Sequence, residues 1–92
     1  MPIVIRFGGY VIYFWVDENQ PVEPLHVYVA LRHPVPNATK LWITSSRDVV
    51  VCNNNSRIPE HALRRVIKAV KGNIDDITEV WRERFGEVRY YC

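Results

Sequence analysis

Apolar residues change their period once along this chain, at Pro59. Before it, short β-branched and aromatic runs alternate with turns; after it, Leu63, Val66, Ile67 and Val70 recur at three- and four-residue steps. Strand side chains alternate between two faces, whereas helix side chains return to one face about every 3.6 residues. A chain with both patterns in this order builds a sheet first and helices second. Each helix must bury its apolar stripe, and the apolar face of the sheet is the natural partner. The expected fold is therefore α+β: about five mostly antiparallel strands, then a C-terminal helical hairpin packed on one face of the sheet. Ninety-two residues suffice for a single domain, spanning 1–92, with a modest core.

The strands follow from turn chemistry. Ile3–Arg6 and Tyr10–Val16 flank Phe7-Gly8-Gly9, a hairpin signal because glycine reaches positive φ. Val11, Tyr13 and Trp15 share one face of the second run and Ile12, Phe14 and Val16 the other. Both faces are apolar, which places this strand centrally. Asp17–Pro21 is a polar turn. Pro24 biases Glu23 toward extended backbone and stiffens the start of a third strand that ends near Arg32. His33–Ala38 is a proline-constrained loop. Thr39–Thr44 and Asp48–Cys52 read as strands four and five, and Asn53-Asn54-Asn55 as a loop. Pro59 suits a first helical position, Gly72 a helix stop and Asn73 a new N-cap. Ile74, Ile77, Trp81 and Phe85 then form the second apolar stripe, with Trp81 the expected anchor between helices and sheet. Gly86 ends it.

The third strand alternates two chemistries. Val27, Val29 and Leu31 point one way and read as core. His26, Tyr28 and Ala30 point the other, setting an imidazole beside a phenol just after the carboxylate of Glu23. Antiparallel pairing with the fourth strand would bring Lys40 and Trp42 to that same face, in a register that a one-residue slip would undo.

Composition narrows the function classes. Apolar residues make up 48% and charged residues 24%, the balance of an ordinary globular protein. A net charge of +2 is too small to demand a nucleic-acid partner. Cys52 and Cys92 form no CxxC pair, so neither zinc nor a redox motif is suggested, and two free thiols in a reducing cytoplasm are expected. His26, His33 and His61 have no metal-ligand spacing. Residues 3–16 are too short to span a bilayer and lack a signal-peptide pattern, so no membrane role is expected. Nucleophile elbow, phosphate loop and HExxH motifs are absent from the sequence, and no cofactor is implied.

With these elements in place, the sequence resembles the bacterial family catalogued as domain of unknown function four-one-six-zero. The resemblance rests on Met1–Tyr10, on Glu23-Pro24-Leu25-His26-Val27-Tyr28-Val29, on Thr39-Lys40-Leu41-Trp42-Ile43 and on Trp81-Arg82-Glu83-Arg84-Phe85-Gly86, in that order. Three features depart from it. Leu25 replaces the motif's second proline, Tyr28 replaces its second histidine, and the loop before Thr39 is longer. One histidine where the family has two weighs against a metal or two-histidine mechanism. The resemblance implies a toxin–antitoxin pair in which this chain is the toxin-like member and a small antitoxin-like protein is its partner.

Two functional expectations follow from different classes. The first is a toxin-like or regulatory binding module that engages a protein partner, and RNA. Its binding residues would be Tyr28 and Trp42, as stacking platforms, with Arg64, Lys68 and Lys71, which share one helix face. The second is a small metal-independent ribonuclease. There His26 would move the proton, Lys40 would stabilise phosphate charge and Glu23 would orient the imidazole. A structural partner protein with no site is the bland alternative, in which the basic face is a solvated helix surface.

Overall fold

A computed structural model of the protein describes residues 3–15 and 23–92, with side chains from Ile5 onward in the first segment. The Met1-Pro2 start, Val16 at the end of the second run and the Asp17–Pro21 turn lie outside the described residues. Five strands form one sheet: β1 (Ile3–Phe7), β2 (Tyr10–Phe14), β3 (His26–Leu31), β4 (Thr39–Ile43) and β5 (Val49–Asn53). Each pairs with its sequence neighbour, every pairing is antiparallel, and the spatial order is β1-β2-β3-β4-β5. Two helices follow, α1 (Glu60–Gly72) and α2 (Ile74–Phe85). This is the expected α+β arrangement.

The helices cover one face. Val66 and Val70 of α1, with Ile74, Ile77 and Trp81 of α2, pack on Ile12, Phe14, Val27, Val29, Leu41 and Ile43. Trp81 is wholly buried, its ring 4.9 Å from Phe14 and 4.6 Å from Phe85. Alternation along β2, β3 and β4 therefore set the core face as the sequence pattern required. β2 is central, and all four of its residues from Val11 to Phe14 are buried, because the second face has a cover of its own. Val11, Tyr13, Ala30 and Ala38 form a smaller cluster there, flanked by Trp15, Tyr28 and Val35. The cover is the proline-constrained loop. Tyr13 Oη donates to the Val35 carbonyl at 2.7 Å and accepts from the Val35 N–H at 3.0 Å, which ties the loop across the sheet.

Local details differ from the sequence expectation at three places. Strand alternation places Leu31 on the core face, yet it is 55% exposed. It ends its strand over the Gly8-Gly9 turn, its Cδ1 3.5 Å from where a Cβ on Gly9 would stand. Pro59 is the residue before α1 rather than its first turn, with extended backbone at ψ 147. Asn73 sits at the start of α2 but makes no side-chain cap there. Its Nδ2 donates instead to the Ala69 carbonyl at 2.8 Å, and its backbone N–H to the Val70 carbonyl at 3.0 Å. One residue separates the helices, so the last carbonyls of α1 are as accessible as the first amides of α2. Gly86 does end α2 in the left-handed conformation, at φ 77.

Beyond Gly86 the chain returns to the sheet. The Leu25 N–H donates to Arg89 O at 2.7 Å and the Tyr91 N–H to Ile43 O at 3.1 Å. Ser45 Oγ and the Ser45 N–H both donate to Cys92 O, at 2.6 and 3.2 Å. The tail thus straps the starting end of β3 to the finishing end of β4. A second strap is built by Asn54 and Ser56. Asn54 Oδ1 accepts from Thr39 Oγ1 and the Ile58 N–H, while Ser56 Oγ donates to the Val29 carbonyl at 2.9 Å.

Candidate functional site

The register that the site needs is the one observed. His26 stands opposite Trp42 and Tyr28 opposite Lys40, so all four residues share the face away from the helices. The imidazole meets the Tyr28 ring edge-on at 5.3 Å and the Trp42 ring at 5.5 Å. Lys40 Nζ lies 4.2 Å from the Trp42 centroid and 5.7 Å from that of Tyr28, within cation–π range of both. Glu23 closes the cluster: its Oε1 accepts from Lys40 Nζ at 3.0 Å.

His26 is more enclosed than strand alternation implies, at 4% exposed. It opens β3, and the Trp81 indole of α2 reaches its ring at 5.1 Å from the side of the core. Its Nδ1 is 2.8 Å from the Pro24 carbonyl. A carbonyl only accepts, so Nδ1 carries the proton and the neutral ring keeps its lone pair on Nε2. Burial pushes the imidazole below its ordinary pKa; the bond to Pro24 opposes this, the Lys40 ammonium adds to it, and the Glu23 charge works against it. The stiff Glu23-Pro24 turn thus orients the imidazole through its own backbone carbonyl. The Glu23 carboxylate, nominated for that task, is hydrogen-bonded to Lys40 and reaches His26 as a charge.

The aromatic platforms are also engaged. Tyr91 of the C-terminal strap stacks on Trp42, with centroids 4.9 Å apart and planes within 13°. Tyr28 stacks on the buried Tyr13 at 5.8 Å. Tyr91, Trp81 and the Pro24 carbonyl all shape the site, and none was singled out for it from sequence. The one available signal was the Tyr90-Tyr91 pair, aromatic residues following a charged helix end.

The nominated basic residues lie elsewhere. Arg64, Lys68 and Lys71 are exposed on α1, opposite the buried Val66 and Val70, and are not brought to the His26 cluster. Arg64 pairs with Glu60 at 2.6 Å and Lys71 with Asp48 at 2.9 Å, while Lys68 has no ion pair among the described residues. Surface pairs of this kind contribute little and exchange readily. The described residues contain no group of three or more His, Cys, Asp or Glu side chains able to hold a metal ion, and no helix long and apolar enough to cross a membrane. Cys52 and Cys92 are free and exposed.

No curated protein and no solved structure matches the chain. The profile of one family does, over residues 9–82, a span that takes in the Glu23–Val29 strand, the Lys40-x-Trp42 strand and Trp81. The chain belongs to that family, described as Domain of unknown function (DUF4160).

Proposed function

We propose that the protein is a non-catalytic binding module, the toxin-like member of a toxin–antitoxin pair, which recognises an acidic surface on a small partner protein. The supporting observation is the contrast between its two candidate surfaces. In the His26 cluster the groups suited to chemistry or base stacking are engaged within the chain: Nδ1 by Pro24, Lys40 by Glu23, and the Trp42 ring by Tyr91. On α1, by contrast, Arg64, Lys68 and Lys71 stand exposed along one face, held at most by solvent-screened pairs. An enclosed histidine whose Nδ1 is held by a backbone carbonyl rather than by a carboxylate gives the ribonuclease alternative less support. Action in a reducing cytoplasm accords with two free thiols.

The partner to test is the small protein encoded beside this one, as the family resemblance implies. Titration calorimetry over a salt series should show affinity falling with ionic strength. Arg64→Gln with Lys68→Gln should weaken binding roughly tenfold and flatten the salt dependence, since two exposed charges are each worth about 0.5–1 kcal/mol. An unchanged Kd with an unchanged salt slope would remove α1 from the interface. Loss of affinity for RNA alone, with partner binding intact, would make RNA the target instead. Nuclease activity lost in a folded His26→Gln variant would return the site to catalysis.

A further inference from the structure

β1, β3 and β5 finish at one end of the sheet, β2 and β4 begin there, and α1 starts beside it, where Ala62 and Arg65 line a pocket with the Phe7–Tyr10 turn. Positive charge gathers at this end. Arg6, Arg32, Arg57, Arg64 and Arg65 are all exposed, and all are arginine; the three lysines lie on β4 and later on α1. Among the described residues Glu60 is the carboxylate at this end, and Arg64 holds it at 2.6 Å. Glu23, Asp48 and Asp75 lie toward the opposite end, where they pair with Lys40, Lys71 and Arg47. The small net charge of +2 is therefore unevenly spread.

Two of these arginines hold a backbone conformation that a long side chain does not favour. Arg32 and Arg57 have φ of 72 and 54, the left-handed region in which glycine or asparagine rests more easily. Hydrogen bonds fix both: the Arg32 N–H donates to Gly9 O and the Arg57 N–H to Asn54 O, each at 2.9 Å. Ser56 Oγ ties the second to the Val29 carbonyl, three residues before Arg32 and so about 10 Å away along the strand. A third left-handed arginine, Arg47 at φ 65, has its guanidinium on Asp75. Among the described residues no ion pair engages the guanidinium of Arg32, Arg57 or Arg65. Strain kept at residues whose side chains have no partner within the chain points to a partner outside it.

The pocket beside Arg65 adds a second kind of contact. It is shallow, floored by Gly8-Gly9 and walled by the half-buried rings of Phe7 and Tyr10. A Cβ on Gly8 would meet nothing within 4 Å, so the turn is open to close approach. We infer that this end of the sheet binds single-stranded nucleic acid, with Arg32, Arg57 and Arg65 on phosphates and the Phe7 and Tyr10 rings against a base. A planar guanidinium takes a phosphate through two parallel N–H bonds, which an ammonium does not. Three such forks from three elements, with rings beside them, suit repeated phosphates and unpaired bases better than an acidic protein surface. The contacts are other residues than Arg64, Lys68 and Lys71, so this inference and the α1 reading fail independently.

Fluorescence anisotropy with a short labelled oligouridylate and the matching oligothymidylate should show binding that weakens with salt. Log Kd against log salt should have a slope of about 2, since each phosphate contact to a single strand contributes about 0.7. Arg32→Asn with Arg57→Asn should weaken binding roughly tenfold and lower the slope to about 0.7. Its melting temperature should stay at or above the parent's, because asparagine relieves the left-handed strain. Arg65→Gln should also weaken binding, and Arg64→Gln with Lys68→Gln should change it far less. Failure of both oligonucleotides to bind, displacement by polyglutamate as readily as by unlabelled RNA, or a double asparagine variant that binds like the parent would each overturn the inference. Binding lost in the Arg64, Lys68 variant and kept in the asparagine variant would overturn it too, by moving the contact to α1.

Discussion

A histidine enclosed by Trp81, Trp42 and Tyr28 has a measurable consequence for stability. The imidazole of His26 resists protonation in the folded chain mainly because burial disfavours the charged ring. In the unfolded chain the same group takes its proton near pH 6.5. Below that value the unfolded state binds a proton that the folded state refuses, so stability is fully present above about pH 6.5 and falls as the pH drops. The urea midpoint should decrease from pH 7.5 to pH 5, and His26→Gln should flatten that decrease. Asp48 and Asp75 have lowered pKa values, held down by Lys71 and Arg47, and titrate below this window. A parent and variant with parallel pH profiles would show that His26 is solvated. Trp81 is the second residue of consequence, fully buried against Phe14, Phe85 and His26. Trp81→Ala should cost about 3–5 kcal/mol, a large part of the roughly 5–15 kcal/mol available to a small domain. Chemical denaturation measures it directly, and a change under about 1 kcal/mol would contradict complete burial.

At the scale of elements, the proline loop acts as the lid of the second cluster, and Tyr13 holds it. The phenol gives and receives one hydrogen bond with Val35, and burial raises its pKa, so it stays protonated at all ordinary pH values. Tyr13→Phe preserves the ring packing and leaves the Val35 N–H and C=O without their partner. The expected cost is about 1–3 kcal/mol. Amide exchange should rise in His33–Ala38 well before it rises in β2 or β3. Protection that is uniform between parent and variant would mean the loop is held by its prolines alone. The C-terminal strap shows the same economy: three backbone bonds through Leu25, Ile43 and Ser45 seat Tyr91 on Trp42.

At the scale of the whole molecule, alternation along β2 to β4 and the helical spacing of Val66, Val70, Ile74, Ile77 and Trp81 were enough to derive the α+β architecture and its core face. These patterns are local, and burial of one face follows from them by simple geometry. The shared face of His26, Tyr28, Lys40 and Trp42 was legible for the same reason once antiparallel neighbours were assumed, whereas the register that sets His26 opposite Trp42 and Tyr28 opposite Lys40 came from the structure. Other features depended on contacts between residues far apart in the chain. Nothing near Tyr13 announces Val35, nothing near Trp42 announces Tyr91, and the enclosure of His26 depends on an indole fifty-five residues away. Asn73 capping α1 rather than α2, and Leu31 emerging at the Gly8-Gly9 turn, were likewise decided by which partner lay within reach. Sequence period thus determined the elements and the faces they bury. Tertiary structure decided which polar groups and rings remain available for function, because hydrogen bonds and ring stacking act over a few ångströms and recognise proximity, whatever the separation along the chain.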